Sequence, residues 1–369
     1  MRIATSAKRL LALAATVAIG ASACSTGGGG GKVALLLPEK QTARYEAADR
    51  PFFEAKFKEL CPDQFKEYIY NNAAEDATAQ QQQAEAAITN GAKVLVLDPV
   101  DGESAGKIVA DAAAKGVKVI SYDRLIKGGS KPDYYISFDN EGVGKLQGQA
   151  LLDKLTADGK TNARVIWING SPKDNNALLF AKGAHSVLDG KVQILKEDAM
   201  ANWKSEEAQQ IMEAAIAQFG KDGFDAVYVA NDGGAGGVYA AMVANGVDPK
   251  TKPMTGQDAQ LDAIQRIIAG QQYMTVYKAI QPEAEAAAQL ACDLVQGKTP
   301  TVTTTPVNNG TADIPSILLT PVAVTADGSV PGTKSVADTV VKDKFYGPDT
   351  VAQICSGDYA QYCAALNIK

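Results

Sequence analysis

Charged, amide and aromatic residues recur along this 369-residue chain in one kind of place, just past the end of a short β-rich run. Lys40, Arg44 and Tyr45 follow the first run, and Asp123 and Arg124 follow the fourth. Asn175 and Asn176, then Trp203, then Asn231 and Asp232 follow later ones. Asp258 comes after Pro253-Met254-Thr255-Gly256, and Lys278 after Met274-Thr275-Val276-Tyr277. Planar carboxylates, amides and guanidinium groups can each serve two adjacent hydroxyls, which both donate and accept. Tyr45 and Trp203 add flat apolar faces for the C–H side of a ring. Taken singly, each residue is as well explained as a strand-end cap or a surface ion pair. Their repeated placement points to a shared polyhydroxylated ligand, a sugar. Hydrogen bonds to charged groups contribute about 1.5–3 kcal/mol each before ordering costs. Several of them with one stacked ring supply the roughly 8 kcal/mol of micromolar binding.

Reactive chemistry finds little support. His185 is the one histidine, and it lies in a helical pattern where a surface position is expected. The chain has no phosphate-loop lysine. Gly233-Gly234-Ala235-Gly236-Gly237 mimics a phosphate loop but follows Asn231-Asp232 and reads better as close backbone packing. Asp123 and Asp258 would be the paired carboxylates of a glycoside hydrolase. We expect them to bind rather than cleave, with no catalysis, no cofactor and no metal site.

The elements that must position these residues alternate between strand and helix. Strands are expected at Lys32–Leu37, Tyr68–Tyr70, Lys93–Leu97, Val117–Ser121 and Tyr134–Phe138. Helices fall between them at Pro51–Leu60, Ala77–Asn90 and Gly102–Lys115. The pattern restarts with helices Gly142–Leu155, Asn176–Leu188, Ser205–Phe219, Gly233–Asn245 and Leu261–Ala269 around strands Arg164–Ile168, Val192–Leu195 and Ala226–Val229. Such βαβ order predicts an α/β fold of two similar, doubly wound parallel-sheet lobes joined by a three-strand hinge. The expected N-lobe takes 32–139 plus 282–318, and the C-lobe 140–281 plus 319–350. The late helix Glu283–Gln296 returns to the first lobe, and residues 300–334 supply connecting strands. In open α/β sheets ligands sit beyond the carboxyl ends of the strands, where the polar set lies.

Residues 1–23 read as a leader: Arg2, Lys8 and Arg9 precede an apolar run that ends in Ala21-Ser22-Ala23-Cys24. We read Cys24 as a lipidation site, followed by a flexible tether over residues 24–31; ordinary secretory cleavage near Ala23 is the alternative. Removing the leader takes the net charge from −6 to −9, against nucleic-acid binding. A DNA-binding regulator of the same architecture would need a helical head where the leader stands. Of the five cysteines, Cys355 and Cys363 are close in a short tail, 351–369, and are expected to pair. Cys61 and Cys292 sit in helical patterns and are expected as buried free thiols.

Several stretches together are specific. Ala43-Arg44-Tyr45, Ser121 to Ile126, Tyr135 to Asn140, Gly170 to Asn176, Asn231-Asp232, Gly256 to Ala259 and Met274 to Lys278 resemble type I substrate-binding proteins of ABC sugar importers. The likeness is to the xylose-binding members and their glucose- and galactose-binding relatives, over about Val33 to Tyr346. It implies that Arg44, Asp123, Arg124, Asn176, Asn231, Asp258 and Lys278 hydrogen-bond a monosaccharide, while Tyr45 and Trp203 cover its faces. The family usually has Trp at the position of Tyr45. Lys40 matches the hexose relatives alone, and the short run from Lys196 to Trp203 matches the xylose binders. Also implied are an ABC permease with its ATPase as partner, a monomer, and a place on the outer face of the cytoplasmic membrane. A sensory role, presenting sugar to a membrane receptor, is the other reading. The tail from Pro348 has no counterpart in this resemblance.

Overall fold

A computed structural model describes residues 31–369. Cys24 and the tether up to residue 30 lie outside the described residues.

The first lobe is built on a seven-stranded sheet. Its strands are β1 (Lys32–Leu37), β2 (Ile69–Asn72), β3 (Ala92–Leu97), β4 (Lys118–Tyr122) and β5 (Tyr134–Phe138), joined late in the chain by β10 (Thr305–Asn308) and β11 (Asp313–Leu319). The spatial order is β10-β11-β5-β4-β3-β1-β2, parallel except for the antiparallel edge strand β10. The inner strands read as unbroken apolar runs because helices cover both faces. Val33, Leu35 and Leu37 of β1 pack with Phe53 and Phe57 of α1 (Arg50–Leu60), and Ala34 and Leu36 pack on the other side with Ala84 and Ala87. Those alanines lie on α3 (Ala77–Thr89), which follows the short α2 (Pro62–Phe65). The next helix, α4 (Gly106–Ala114), starts four residues later than its apolar pattern predicts. Gly102 is committed elsewhere: its N–H donates to the Lys173 carbonyl of the other lobe, and its carbonyl accepts from Lys127.

The second lobe contains α5 (Asn140–Ala157), β6 (Arg164–Asn169), α6 (Asn175–Leu188), β7 (Gln193–Ala199), α7 (Ser205–Phe219), β8 (Ala226–Val229), α8 (Asp232–Ala244), α9 (Leu261–Ile268), β9 (Thr275–Tyr277), β12 (Val322–Thr325) and β13 (Lys334–Ser335). Strands β7-β6-β8 are parallel, and β9-β12-β13 form a second ribbon. The run 253–258 joins the two. It bonds to Val227 on one side and, through Gly256 and Asp258, to Val276 on the other. The Gly/Ala run of α8 is packing, not a phosphate loop: a Cβ on Gly237 would overlap the Ser205 carbonyl of α7.

The chain passes between lobes at 138–140, 277–280 and 319–322. The middle passage leads into α10 (Ile280–Val295), which packs back on the first lobe against α1. Residues 300–319, expected as connecting strands, form a hairpin that widens the first sheet. The tail forms α11 (Thr350–Ile354) and α12 (Ala360–Ala365) and buries Ile354, Cys363 and Ile368 against Ile264, Ile267 and Ile268 of α9.

The free-thiol expectation for Cys61 and Cys292 is wrong. The two form a disulfide with Cα atoms 5.9 Å apart. The packing of α1 against α10 brings together helix positions 231 residues apart, which local patterning cannot register. Cys355 and Cys363 are also bonded, as expected. In the chain-entropy view the long loop gives roughly 5 kcal/mol and the short one roughly 2–3. Among the described residues no helix is long and apolar enough to cross a membrane.

Candidate ligand site in the cleft between the lobes

Between the lobes lies a small polar cavity. Nine of the ten residues expected to bind ligand line it: Arg44, Tyr45, Asp123, Arg124, Asn176, Trp203, Asn231, Asp258 and Lys278. The tenth, Lys40, is exposed and lies outside the lining; Thr42 reaches the cavity from that loop instead. Asp174, Phe180 and Gln257 complete the wall.

Arg44 opens the wide helical turn Tyr45–Asp49 that runs into α1. Its guanidinium grips Asp49 with two nitrogens, at 2.8 and 2.6 Å, and meets Glu283 of α10 at 2.6 Å and Asp123 at 3.2 Å. Tyr122 also donates to Asp49. The ring of Tyr45 lies between Arg44 and Arg124, whose guanidinium carbons are 5.4 and 5.6 Å from its centroid. Its hydroxyl donates to the second oxygen of Asp123 at 3.0 Å. Arg124 faces Glu39 and Asp98 in its own lobe and, at 3.2 Å, Asp174 in the other. Asp174 simultaneously caps α6 by accepting from the Asn176 N–H.

On the far wall, the Asn176 amide donates to the Asp123 carbonyl at 3.0 Å, another bond between lobes, and accepts from Asn140. Asn231 caps α8 through its Oδ1 while lining the cavity. Lys278 Nζ sits 2.9 Å from Asp258 Oδ1 and over the rings of Phe138 and Phe180, where burial strengthens the cation–ring attraction. Trp203 reaches the cavity because Gly170 has no side chain: a Cβ there would overlap the indole. Asp123, Trp203 and Asp258 all have left-handed φ values, of 52°, 58° and 92°. Such conformations persist where the surroundings over-determine them, and they cluster at functional sites.

The electrostatics are those of a site for a neutral ligand. The cavity wall carries three cations, Arg44, Arg124 and Lys278, against three carboxylates, Asp123, Asp174 and Asp258. Behind them lie Glu39, Asp49, Asp98 and Glu283, and none of these ten groups is more than 5% exposed. Burial drives the Asp98 and Glu283 carboxyls well above their usual range, and raises Asp174 despite Arg124. Burial acts the same way on Asp123, but Arg44, Lys278 and Arg124 outweigh it and hold that carboxyl below its usual value. Asp123 is therefore a permanent acceptor. Trp203 Nε1 and Gln257 Oε1, one donor and one acceptor, are buried without a hydrogen-bond partner among the described residues. An added anion or cation would upset the charge balance, whereas hydroxyls fit both kinds of partner.

Residues 33–299 match the periplasmic binding protein domain. The chain belongs to the periplasmic binding protein family. It is 37% identical over 320 residues to the D-xylose-binding periplasmic protein of Escherichia coli, covering 85% of this chain and 91% of that one. Identity is 36% to the multiple sugar-binding periplasmic receptor ChvE of Rhizobium radiobacter, over 68% of this chain and 75% of the receptor. An ABC transporter solute-binding protein from Clostridium phytofermentans, solved with β-D-glucose, superposes with a TM-score of 0.75 at 30% identity, covering 86% of this chain and 99% of that one. The type I fold with its parallel sheets is thus established, and these relatives are binding proteins rather than enzymes.

Attention to the first residues past each strand alone misses half of the wall's support. Asp98 directly follows β3 and obeys the same rule as Asp123. Asp174 is legible as the cap before Asn175-Asn176. Asp49 and Glu283 carry no local signal, since they act through Arg44 rather than on the cavity. His185 is half-buried on α6 rather than free at its surface: it bonds Asp189 and Glu197 and stacks on the buried Trp167.

Glu75, at the edge of the cleft, is a pH-sensitive group. Burial, with help from Glu39 and Asp174 and against Arg124 and Lys173, pushes its carboxyl up to about 7. The folded chain therefore holds a proton that the unfolded chain releases near pH ~4.3, and stability falls as pH rises from there to about 7. Thermal melts of Glu75→Gln should show a flatter profile across that window and a higher Tm than wild type above pH ~7. Parallel profiles would show that Glu75 ionises freely.

Proposed function

We propose that this protein binds D-xylose between its lobes outside the cytoplasmic membrane and delivers it to an ABC permease driven by its ATPase. The observation that carries the reading is the charge-balanced cavity, walled from both lobes by groups that donate and accept. Two D-xylose-binding periplasmic proteins, 36–37% identical to this chain over 91% and 92% of their own lengths, favour the pentose. So does the exposed position of Lys40, the residue shared with hexose binders. Glucose is the second reading, because two solved relatives with TM-scores of 0.75 and 0.71 hold D-glucose.

In this mechanism Arg44, Tyr45, Asp123 and Arg124 receive the sugar on the first lobe. Asn176, Trp203, Asn231, Asp258 and Lys278 reach it when the second lobe swings in. A ligand closes a hinge only if it binds the closed state better than the open one, and contacts from both lobes meet that condition. The protein acts as a monomer, without cofactor or metal. It is held at the membrane by a lipid on Cys24; mass spectrometry of protein from its native membrane should find the modified cysteine, and an unmodified N-terminus beyond it would remove the anchor.

Calorimetry against D-xylose, D-glucose, D-galactose and L-arabinose tests the ligand, with D-xylose expected to bind tightest. Asp258→Ala strands the Lys278 ammonium in the closed cleft. Affinity should fall at least tenfold, about 1.4 kcal/mol, while the Tm without sugar barely moves because the open cleft is wet. Unchanged affinity would take Asp258 out of the site, and no heat with any of the four sugars would overturn the sugar reading.

A further inference from the structure

We propose that Tyr346 is a positioning residue for Asp258, so that the C-terminal segment 345–369 is part of the ligand-binding apparatus. The proposal rests on the reading of the cleft as the sugar site.

Asp258 and its neighbour Ala259 are consecutive left-handed residues, with φ of 92° and 50°, and neither is glycine. Backbone of this kind must be held from more than one side. From within the sheet, the Asp258 N–H donates to the Val276 carbonyl at 2.9 Å, and Ala259 N–H to the Thr275 hydroxyl at 3.3 Å. Asp232 holds the flanking residues, donating its N–H to the Gln257 carbonyl at 3.0 Å and accepting from the Gln260 N–H at 3.0 Å, and the tail adds a further restraint, where the Tyr346 hydroxyl donates to the Ala259 carbonyl. Ala259 is fully buried, so that carbonyl has no access to water if the hydroxyl is removed.

Tyr346 is itself fixed by the tail. Its N–H donates to Thr350 Oγ1 at 3.0 Å and its carbonyl accepts from Gln353 at 3.0 Å. Phe345 packs edge-on to its ring at 5.3 Å. Gln265 of α9 then ties the tail back to the lobe, donating to the Gln353 carbonyl at 3.0 Å and to Ser356 Oγ at 3.2 Å. The Cys355–Cys363 disulfide closes the tail around Ser356. A chain of contacts thus runs from the tail through Tyr346, Ala259 and Asp258 to Lys278. The matched domain ends at residue 299, so this support lies outside it.

Without the hydroxyl, the Asp258-Ala259 backbone relaxes toward ordinary φ values and the carboxylate loses its register with Lys278. A residue that merely stabilised the lobe would act on affinity independently of Asp258. A double-mutant cycle separates the two. D-Xylose calorimetry should show Tyr346→Phe weakening binding about tenfold in the wild-type chain, and less than about twofold in an Asp258→Ala background. An equal loss in both backgrounds, or no loss in either, would overturn the proposal. Gln265→Ala, which leaves Tyr346 in place but frees the tail, should show a smaller loss with the same dependence on Asp258; it serves if Tyr346→Phe fails to fold. Hydrogen exchange without ligand tests the same contact independently of the sugar reading. The amides of Asp258 and Ala259 should exchange at least about tenfold faster in Tyr346→Phe, with β6 and β8 unchanged. Unaltered exchange at these two amides would contradict the proposal even if sugar binds, and faster exchange would uphold it even if D-xylose does not.

Discussion

Arg44 is the group on which the cleft depends. Its guanidinium is buried with Asp49, Asp123 and Glu283, so one cation organises three elements: the wide turn before α1, the end of β4 and the start of α10. A buried charge without partners is strongly destabilising, and removing one member of such a set exposes the others to the same penalty. The arrangement also decides what the ligand meets. Asp123, held ionised by Arg44, Lys278 and Arg124, presents a fixed acceptor, while Asp98 and Glu283 are pushed by burial toward the neutral state. The site therefore has strong directional partners and little net charge, a combination suited to hydroxyls.

Two contacts show how that network is completed across the cleft. Arg124 of the first lobe meets Asp174 of the second, and Asn176 reaches over to the Asp123 carbonyl. Both second-lobe groups sit at the N-terminus of α6, so one helix start carries these two inter-lobe contacts and part of the ligand wall. Closure and ligand binding thus draw on the same side chains. The strained backbone at Asp123, Trp203 and Asp258 belongs to the same design: each side chain is aimed by a conformation that its neighbours must maintain.

Much of this is legible in sequence because the physics is local. Strand ends in an α/β fold mark where ligands sit, and the polar and aromatic residues found there, from Arg44 to Lys278, converge on one cavity. The apolar runs of β1 and β3 and the caps Asp174 and Asn231 are equally readable. What escapes is non-local. Lys40 follows β1 as closely as Thr42 does, but the turn of the loop decides which one faces inward. The Cys61–Cys292 disulfide and the Arg44–Glu283 pair join positions 231 and 239 residues apart: the return of the late helix is expected, but no periodicity sets which of its residues meet Cys61 and Arg44. The tail's short apolar residues give no sign of their partner until α9 is in place.

A small neutral sugar, in the proposed role, joins two lobes whose buried Arg124 and Asp174 pair only when the lobes meet. Small-angle X-ray scattering with and without saturating D-xylose tests it most directly. The liganded protein should have a smaller radius of gyration, and the change should be much reduced in Asp174→Ala, which cuts the Arg124 contact between lobes. An identical scattering profile with and without bound sugar would contradict it.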